Sequence, residues 1–589
     1  MSSTTAGNLA PPYSELIIGL DFGTTHTGVV WAHTMKPESL HEITNWPTDS
    51  ASSSSASLRK VPTKIQYLTN GDFEWGARVA TGTNSAGVHT LFKLALEPKK
   101  YEEAAGAIGA ELNLENVDQI ITDYLTGVFG HLLRTVEKNL SRNVVEKAAI
   151  HVVLTVPAIW SDRAKQRTLQ AFKGIPNLPA HTTTSLLSEP EAAAISALHE
   201  LQKLDRHKLS IGDAFVVVDA GGGTVDLITY SITSLSPILE VREATEGTGG
   251  VCGSTLVNSR FARFLTTKLE KENGWNNEVL SNALIRFEDK VKKRFALNDI
   301  TQNTTYNIEV RGMAANRDAG MTRDGRFSFS ATDLHMFFEP DILKIIQLVK
   351  EQIRLCDSPI RSILLVGGYG ASNYLRERLS LAFEEDQAIQ RRIEILQPSN
   401  AWTAVARGAA MKGLARAKPE NYDIPAVMSR TARKHYGTVC GVEYDGTRHA
   451  TLFHKRYWDG LHGCWRVHAM KWFITRGERV SEDIVFPKRY YWAWPVGSLR
   501  SRSFSVSIYA DETSSVAPIE CTDSVQLLCH LTADLSSIPD SQLNRETGKD
   551  GKEYYCVNVE IESVYRSAST EYSLIHKGKR YDTVTAEYV

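Results

Sequence analysis

No apolar run in this chain reaches the ~18–20 residues that a helix needs to cross a bilayer, so no helical span is expected. The N-terminus, MSSTTAGNLAPPYSE, is polar and lacks the apolar centre of a secretory signal. Cysteine is sparse: seven residues, scattered and without a C-x-x-C pair. They read as reduced thiols in a cytosolic protein, and a cytoplasmic location is expected. Neither charge is in excess, since 66 Lys and Arg face 68 Asp and Glu for a net charge of −2. That balance gives no drive for bulk binding to nucleic acid or an anionic membrane, so neither is an expected partner. The pattern GxxxxGK followed by Ser or Thr is also missing, so a phosphate site here would not be a P-loop.

What is present is long and compositionally ordinary. At 589 residues the chain exceeds one core, and three or four folding units are expected. An apolar content of 42% with 23% charged residues fits a soluble globular protein. Residues 1–14 read as a disordered tail. The serine run at 50–57 reads as a flexible loop within a domain. Strand and helix signals alternate from 15 to 415, which argues an α/β class. Val117, Ile120, Ile121, Tyr124, Leu125, Val128, Phe129 and Leu132 recur at helical spacing and predict a core-facing helix over 117–140. From about residue 418 short aromatic-rich strands and turns take over, the pattern of a β-sandwich or irregular β domain. Five tryptophans fall there (Trp458, Trp465, Trp472, Trp492 and Trp494), either as β-core residues or as the lining of a groove.

Residues 216–230, VVVDAGGGTVDLITY, carry the strongest chemical signal. Three glycines free a tight turn from side chains, so that successive backbone N–H groups can converge on a phosphate. Thr224 adds a hydroxyl, and Asp219 at the strand end suits a magnesium-bound water. A hairpin with a flexible tip is the plainer alternative. Residues 16–32, LIIGLDFGTTHTGVVWA, repeat the layout with Asp21, Gly23, Thr24 and Thr25. Two such hairpins suggest two similar half-domains facing one nucleotide.

Further motifs are compatible with that arrangement. Residues 361–383 read as buried strand, Gly367-Gly368 turn and helix, where a flat ring could lie on bare backbone. SEPEAAAISALHEL at 188–201 has the helix-start pattern of Ser188, Pro190 and Glu191, and it leaves Glu189 either as a favourable first-turn acid or near magnesium. A buried strand at 150–156 is stopped by Pro157. Lys93, between apolar neighbours, is either a snorkelling surface residue or a cation within reach of a γ-phosphate.

The ordered set LDFGTT, TVPAIW, SEPEAAA, VVVDAGGGTVDL and ILLVGGYGAS resembles the 70-kDa heat-shock protein chaperones of the actin-like ATPase superfamily. Within it the likeness is to the divergent branch typified by heat shock 70 kDa protein 12A, which has many fungal members. The resemblance spans residues 15–415. It implies two lobes on duplicated ribonuclease-H-like sheets, with ATP or ADP and Mg2+ between them. Lobe I would cover 15–212 with a return at 396–415, lobe II 213–395, and a β-rich domain 416–589. By the same resemblance Asp21, Gly23, Thr24 and Thr25 form the first phosphate loop, and Lys93 is the catalytic lysine. Glu189 is the metal-side glutamate, and Asp219 to Thr224 (Gly221, Gly222, Gly223 among them) form the second loop, with Asp226 following. Gly249 and Gly250 add a glycine pair at the nucleotide, Gly367 and Gly368 the adenosine motif, and Asp289, Lys292 and Lys293 the adenine-flanking helix. Asp21 and Asp219 would hold Mg2+ through water.

Several departures accompany these matches. Val251-Cys252 stands where the family has an acidic pair, leaving a thiol that could be accessible. Trp402 stands where an acid is expected, and the family's interdomain linker is not recognisable in AKPENYDIPAVMSR. WFITRGERVSED resembles the start of the family's peptide-binding sandwich, but no charged helical lid or acidic tail follows. Three functions are therefore compatible with the sequence: a chaperone-type ATPase binding unfolded or specific clients with co-chaperones or exchange factors, a nucleotide-switched scaffold with little turnover, and a small-molecule kinase of the same superfamily.

Overall fold

The computed structural model describes residues 14–48, 58–79, 87–108, 115–203, 209–384, 392–417, 423–482, 484–497, 503–534, 541, 543–581 and 585–588. The expected tail up to residue 13 and the serine run at 50–57 lie outside the described residues, as do 418–422 of the linker segment. The chain forms two compact units, Met1–Ala426 and Val427–Val589.

The first unit is built on two sheets of the same order. In one, the strand Glu15–Phe22 lies at the centre, antiparallel to His26–His33 and parallel to Ala149–Val156. Lys36–Glu42 and Thr182–Ser188 complete the two sides. In the other, Ala214–Ala220 is antiparallel to Val225–Ser234 and parallel to Ile360–Val366. Glu240–Glu243 and Glu394–Leu396 flank them. The duplication expected from the two Asp-Gly-Thr hairpins is thus a duplication of sheet topology. The central strands are buried along nearly their whole length, which is why they read as unbroken apolar runs and not as alternating ones.

Helices fill the parallel crossovers. Val117–Leu140 buries Ile120, Ile121, Tyr124, Leu125, Val128, Phe129 and Leu132, the face that the apolar spacing predicts. Each fully buried side chain of this size contributes about 1.5–3 kcal/mol relative to exposure. Glu189–Lys203 follows Ser188 without a gap, and its first turns are buried alanines. The small residues let the helix Ala404–Ala417 pack beside it and over Ile17 of the first sheet. In the second half Ser330 caps Ala331–Leu355: its hydroxyl accepts from Asp333 N at 3.1 Å, and its own N–H donates to Asp333 Oδ2 at 2.8 Å. Phe261 and Phe287 stack at 4.0 Å in the core between these helices and the sheet.

The second unit is all antiparallel. One sheet orders Tyr457–Asp459, Cys464–Ile474, His435–Glu443, Ser503–Asp511, Gln526–Asp534 and Thr585–Tyr588. The other orders Val485–Pro495, Glu553–Tyr565, Thr570–His576 and Lys579–Tyr581, with Asn544–Thr547 beside Glu553–Tyr565. Ile474, Ile508, Cys529 and Leu531 of the first sheet share a core with Val557, Val559 and Ile561 of the second. The tryptophans divide. Trp492 and Trp494 pack on that core, and Trp472 Nε1 donates to Pro518 O at 2.7 Å. Trp458 and Trp465 are 57% and 44% exposed, paired across adjacent strands. No α-helix occurs among the described residues of this unit.

Candidate nucleotide site

The two hairpin turns meet tip to tip. A Cβ on Gly222 would stand 2.2 Å from Thr25 Oγ1, and one on Gly223 2.9 Å from Thr24 Cγ2. No side chain fits at either position, which is the physical reason for the glycine run. Around the tips opens a cleft of ≈ 1110 Å³ lined by both halves of the unit. Asp21, Gly23, Thr24, Thr25, Glu189, Gly221 to Thr224, Asp226, Asp289, Lys292, Lys293, Gly367 and Gly368 all line it.

Asp21 and Asp219 sit at equivalent places, each near the end of its central strand. Asp21 pairs in register with Gly28, and Asp219 with Asp226. Thr224 Oγ1 donates to Asp226 Oδ2 at 3.1 Å. Burial, then the neighbouring Glu189 and Asp21 carboxylates, hold the Asp219 carboxyl well above its ordinary range. Burial likewise pushes Glu189 up to about 7, against the pull of Lys93 and with the repulsion of Asp226 and Asp21. Such a concentration of mutually repelling hard oxygen donors is suited to a divalent cation. Among the described residues no three His, Cys, Asp or Glu side chains converge as direct metal ligands. The oxygen chemistry of Asp21, Glu189, Asp219 and Asp226 fits Mg2+.

Lys93 is neither a surface residue nor part of the cleft wall. It lies in a short 3-10 turn, Phe92–Leu96, with its side chain 1% exposed. Its ammonium donates to Glu189 Oε1 at 2.6 Å and lies 5.1 and 5.5 Å from the ring centroids of Trp160 and Phe22. It stands behind Glu189, which is the group that faces the cleft.

On the opposite side, Gly367 adopts φ 84°, and a Cβ there would stand 2.4 Å from Ala220 O and 2.5 Å from Asp219 Oδ1. A Cβ on Gly368 would meet nothing within 4 Å, so that residue presents bare backbone to open space. The next helix, Asn373–Phe383, is capped by Ser372, whose hydroxyl accepts from Leu375 N at 3.4 Å. The helix Asn277–Arg286 widens into a π-helical turn, Phe287–Lys292, at the cleft. Lys292 is held by Glu288 Oε2 at 2.5 Å, with Ser254 O and Asn258 Oδ1 each at 3.0 Å. Lys293 and Asp289 form a looser, exposed pair at 3.3 Å. Trp402 closes this edge, with the His26 ring at 6.2 Å and Lys293 Nζ at 6.0 Å.

Gly249 and Gly250 lie beside the second turn, in the strand Thr248–Gly250 that pairs with Val225–Leu227. A Cβ on Gly249 would lie 2.7 Å from Val225 O, so its small size serves packing. One expectation is corrected here. Cys252 is not accessible: it is buried in the second-lobe core, and burial pushes its thiol up to about 12.

Three cleft residues escape sequence reasoning. Lys60 Nζ donates to Asp21 Oδ2 at 2.6 Å. His26, exposed at the first turn, lines the cleft and sets its ring edge-on to Trp402. Glu288 adjoins the expected Asp289. Only the last has a neighbouring signal; Lys60 in LRKVPTK and His26 in GTTHT have no spacing that marks them.

The match of the Hsp70 protein family model to residues 105–421 agrees with this architecture, and the chain belongs to the Hsp70 family, whose members are ATP-binding ATPases. Heat shock 70 kDa protein 12A of Mus musculus is 24% identical over 550 residues, covering 75% of this chain and 77% of that protein. Heat shock 70 kDa protein 12B of Homo sapiens is 22% identical over 534 residues, covering 75% and 76%. A chaperone protein HscA homolog of Neisseria meningitidis serogroup B is 24% identical over 429 residues, covering 68% of this chain and 59% of its own length. No helix among the described residues is long and apolar enough to cross a membrane.

Proposed function

We propose that the chain is a magnesium-dependent ATPase whose nucleotide state controls what the C-terminal β unit binds. The observation that carries this reading is the meeting of two Gly-Thr turns over one acid-lined cleft, with Gly222 and Gly223 against Thr25 and Thr24. Phosphoryl transfer to water needs positioning and charge neutralisation more than covalent help. Backbone N–H groups of residues 24–25 and 222–224 would grip the β- and γ-phosphates from both sides, while those of Gly23 and Gly221 close the turns onto Asp21 O and Thr224 O. Mg2+, when bound, would supply charge neutralisation on the phosphates, its waters held by Asp21 and Asp219. Glu189, with its carboxyl near 7, suits acceptance of a proton from the attacking water. Lys93 reaches the cleft only through Glu189, so its part is to hold that carboxylate and thereby position the water. Gly367 and Gly368 would pass under the adenosine, with Lys292, Lys293 and Asp289 at its edge. The partners of the β unit would be unfolded or specific client proteins, with co-chaperones or exchange factors acting on the first unit.

The test is the ATPase rate with and without an unfolded peptide, then with a panel of sugars. Stimulation by peptide is expected. Tight nucleotide binding with negligible turnover would instead make the chain a nucleotide-switched scaffold, and sugar-dependent ADP release would make it a kinase. Lys93→Ala should slow hydrolysis by about 100-fold, the scale of a reacting group left misplaced, while sparing ATP binding.

A further inference from the structure

The two halves of the first unit share a strand order but differ at one paired position beside the turns. In the second hairpin Asp219 faces Asp226, whereas in the first Asp21 faces Gly28. The missing side chain at 28 leaves a path over the strand His26–His33, and the stem of Lys60 takes it. A Cβ on Gly28 would stand 3.1 Å from Lys60 Cε, 3.2 Å from Cγ and 3.4 Å from Cδ. The stem is thus laid along the hairpin, and the ammonium ends 2.6 Å from Asp21 Oδ2. The Lys60 side chain is only 9% exposed and that of Asp21 6%, yet both line the cleft. A surface ion pair would contribute little. This one is nearly buried and sits beside the turn that would receive phosphate.

We infer that Lys60 is a cation built into the nucleotide site, holding Asp21 before nucleotide arrives and contacting its phosphate oxygens afterwards. The consequence is nucleotide binding that depends less on divalent metal than the four carboxylates alone would require. This rests on the reading that the cleft takes a nucleoside di- or triphosphate. The reasoning is electrostatic. Asp21, Glu189, Asp219 and Asp226 would repel a polyphosphate, and a metal ordinarily offsets that repulsion. Lys60 places an ammonium there as a point charge, with donors free to turn from carboxylate to phosphate. Lys93 cannot do this from its place behind Glu189.

The experiment measures the affinity of a fluorescent ADP analogue in millimolar Mg2+ and in EDTA. Wild type, Lys60→Met and Lys60→Arg are compared, Met preserving the unbranched stem without the charge. Wild type should lose about tenfold in affinity on chelation, and Lys60→Met about 30-fold more, equivalent to about 2 kcal/mol. Lys60→Arg should recover most of the difference. Equal metal dependence in wild type and Lys60→Met overturns the inference. If Lys60→Met fails to fold, a loss beyond about 1000-fold on chelation of wild type, more than 4 kcal/mol, overturns it as well. Failure of every form to bind nucleotide in either buffer is a different outcome, which overturns the ATPase reading itself.

Discussion

Replacing Lys93 by Met should destabilise the first unit strongly at pH 8 and weakly at pH 5. Lys93 is 1% exposed, its partner Glu189 12%, and their charged atoms lie 2.6 Å apart. Removing one partner of such a pair leaves an uncompensated buried charge, at a cost of about 3–5 kcal/mol. That cost exists only while Glu189 is ionised. In the folded protein its carboxyl is raised to about 7, against an ordinary value of 4.5. The folded state therefore holds a proton that the unfolded state releases between those values, and stability falls as pH rises through that window. At about 1.36 kcal/mol per unit the fall is on the order of 3 kcal/mol, complete above pH 7. Without Lys93 the ionised form loses its main support, and the window extends to higher pH. Urea denaturation at pH 5, 6, 7 and 8 would measure this for wild type, Lys93→Met, Glu189→Gln and the double variant. The double variant should approach wild-type stability at pH 8, since a neutral pair leaves no buried charge. A Lys93→Met penalty that is the same at pH 5 and pH 8, or unrelieved by Glu189→Gln, would refute the argument.

Three other outcomes follow from the packing. Gly222→Ala, whose Cβ would stand 2.2 Å from Thr25 Oγ1, should weaken binding of the fluorescent nucleotide at least about tenfold, at a cost of 1.4 kcal/mol or more. Cys252 should resist a thiol reagent in the native state and react once urea opens the second-lobe core; rapid native labelling would contradict its burial. Ser330→Ala removes a reciprocal cap and should cost about 1 kcal/mol in thermal unfolding, with nucleotide affinity unchanged.

Features that depend on neighbours in sequence were legible in the chain. The two turns could be read because bare glycines and strand-end acids lie within a few residues of one another. The helix Val117–Leu140 could be read because its buried face repeats at helical spacing. The relations that decide the chemistry run between distant segments. Whether Lys93 is a surface lysine or a buried partner depends on Glu189, Trp160 and Phe22, none of them local to it. Lys60 reaches Asp21 along a stem laid over residue 28, where a Cβ would crowd it, a steric fact that no periodicity records. The burial of Cys252 is hidden for the same reason, because it depends on the core around it and not on its neighbours in sequence. The tryptophans of the β unit could not be sorted by composition, because Trp458 lies exposed on a three-residue edge strand of one sheet and Trp492 packs on the shared core from the other.

Gly28 and Asp226 occupy the same register position in two halves of one topology. Near the turns, the first half contributes Asp21 with Lys60 and Glu189 with Lys93, two pairs that sum to no charge when ionised. The second half contributes Asp219 and Asp226. An architecture that is nearly two-fold in its backbone is thus unequal in its side chains, with acids paired to lysines beside one turn and two acids facing each other beside the other.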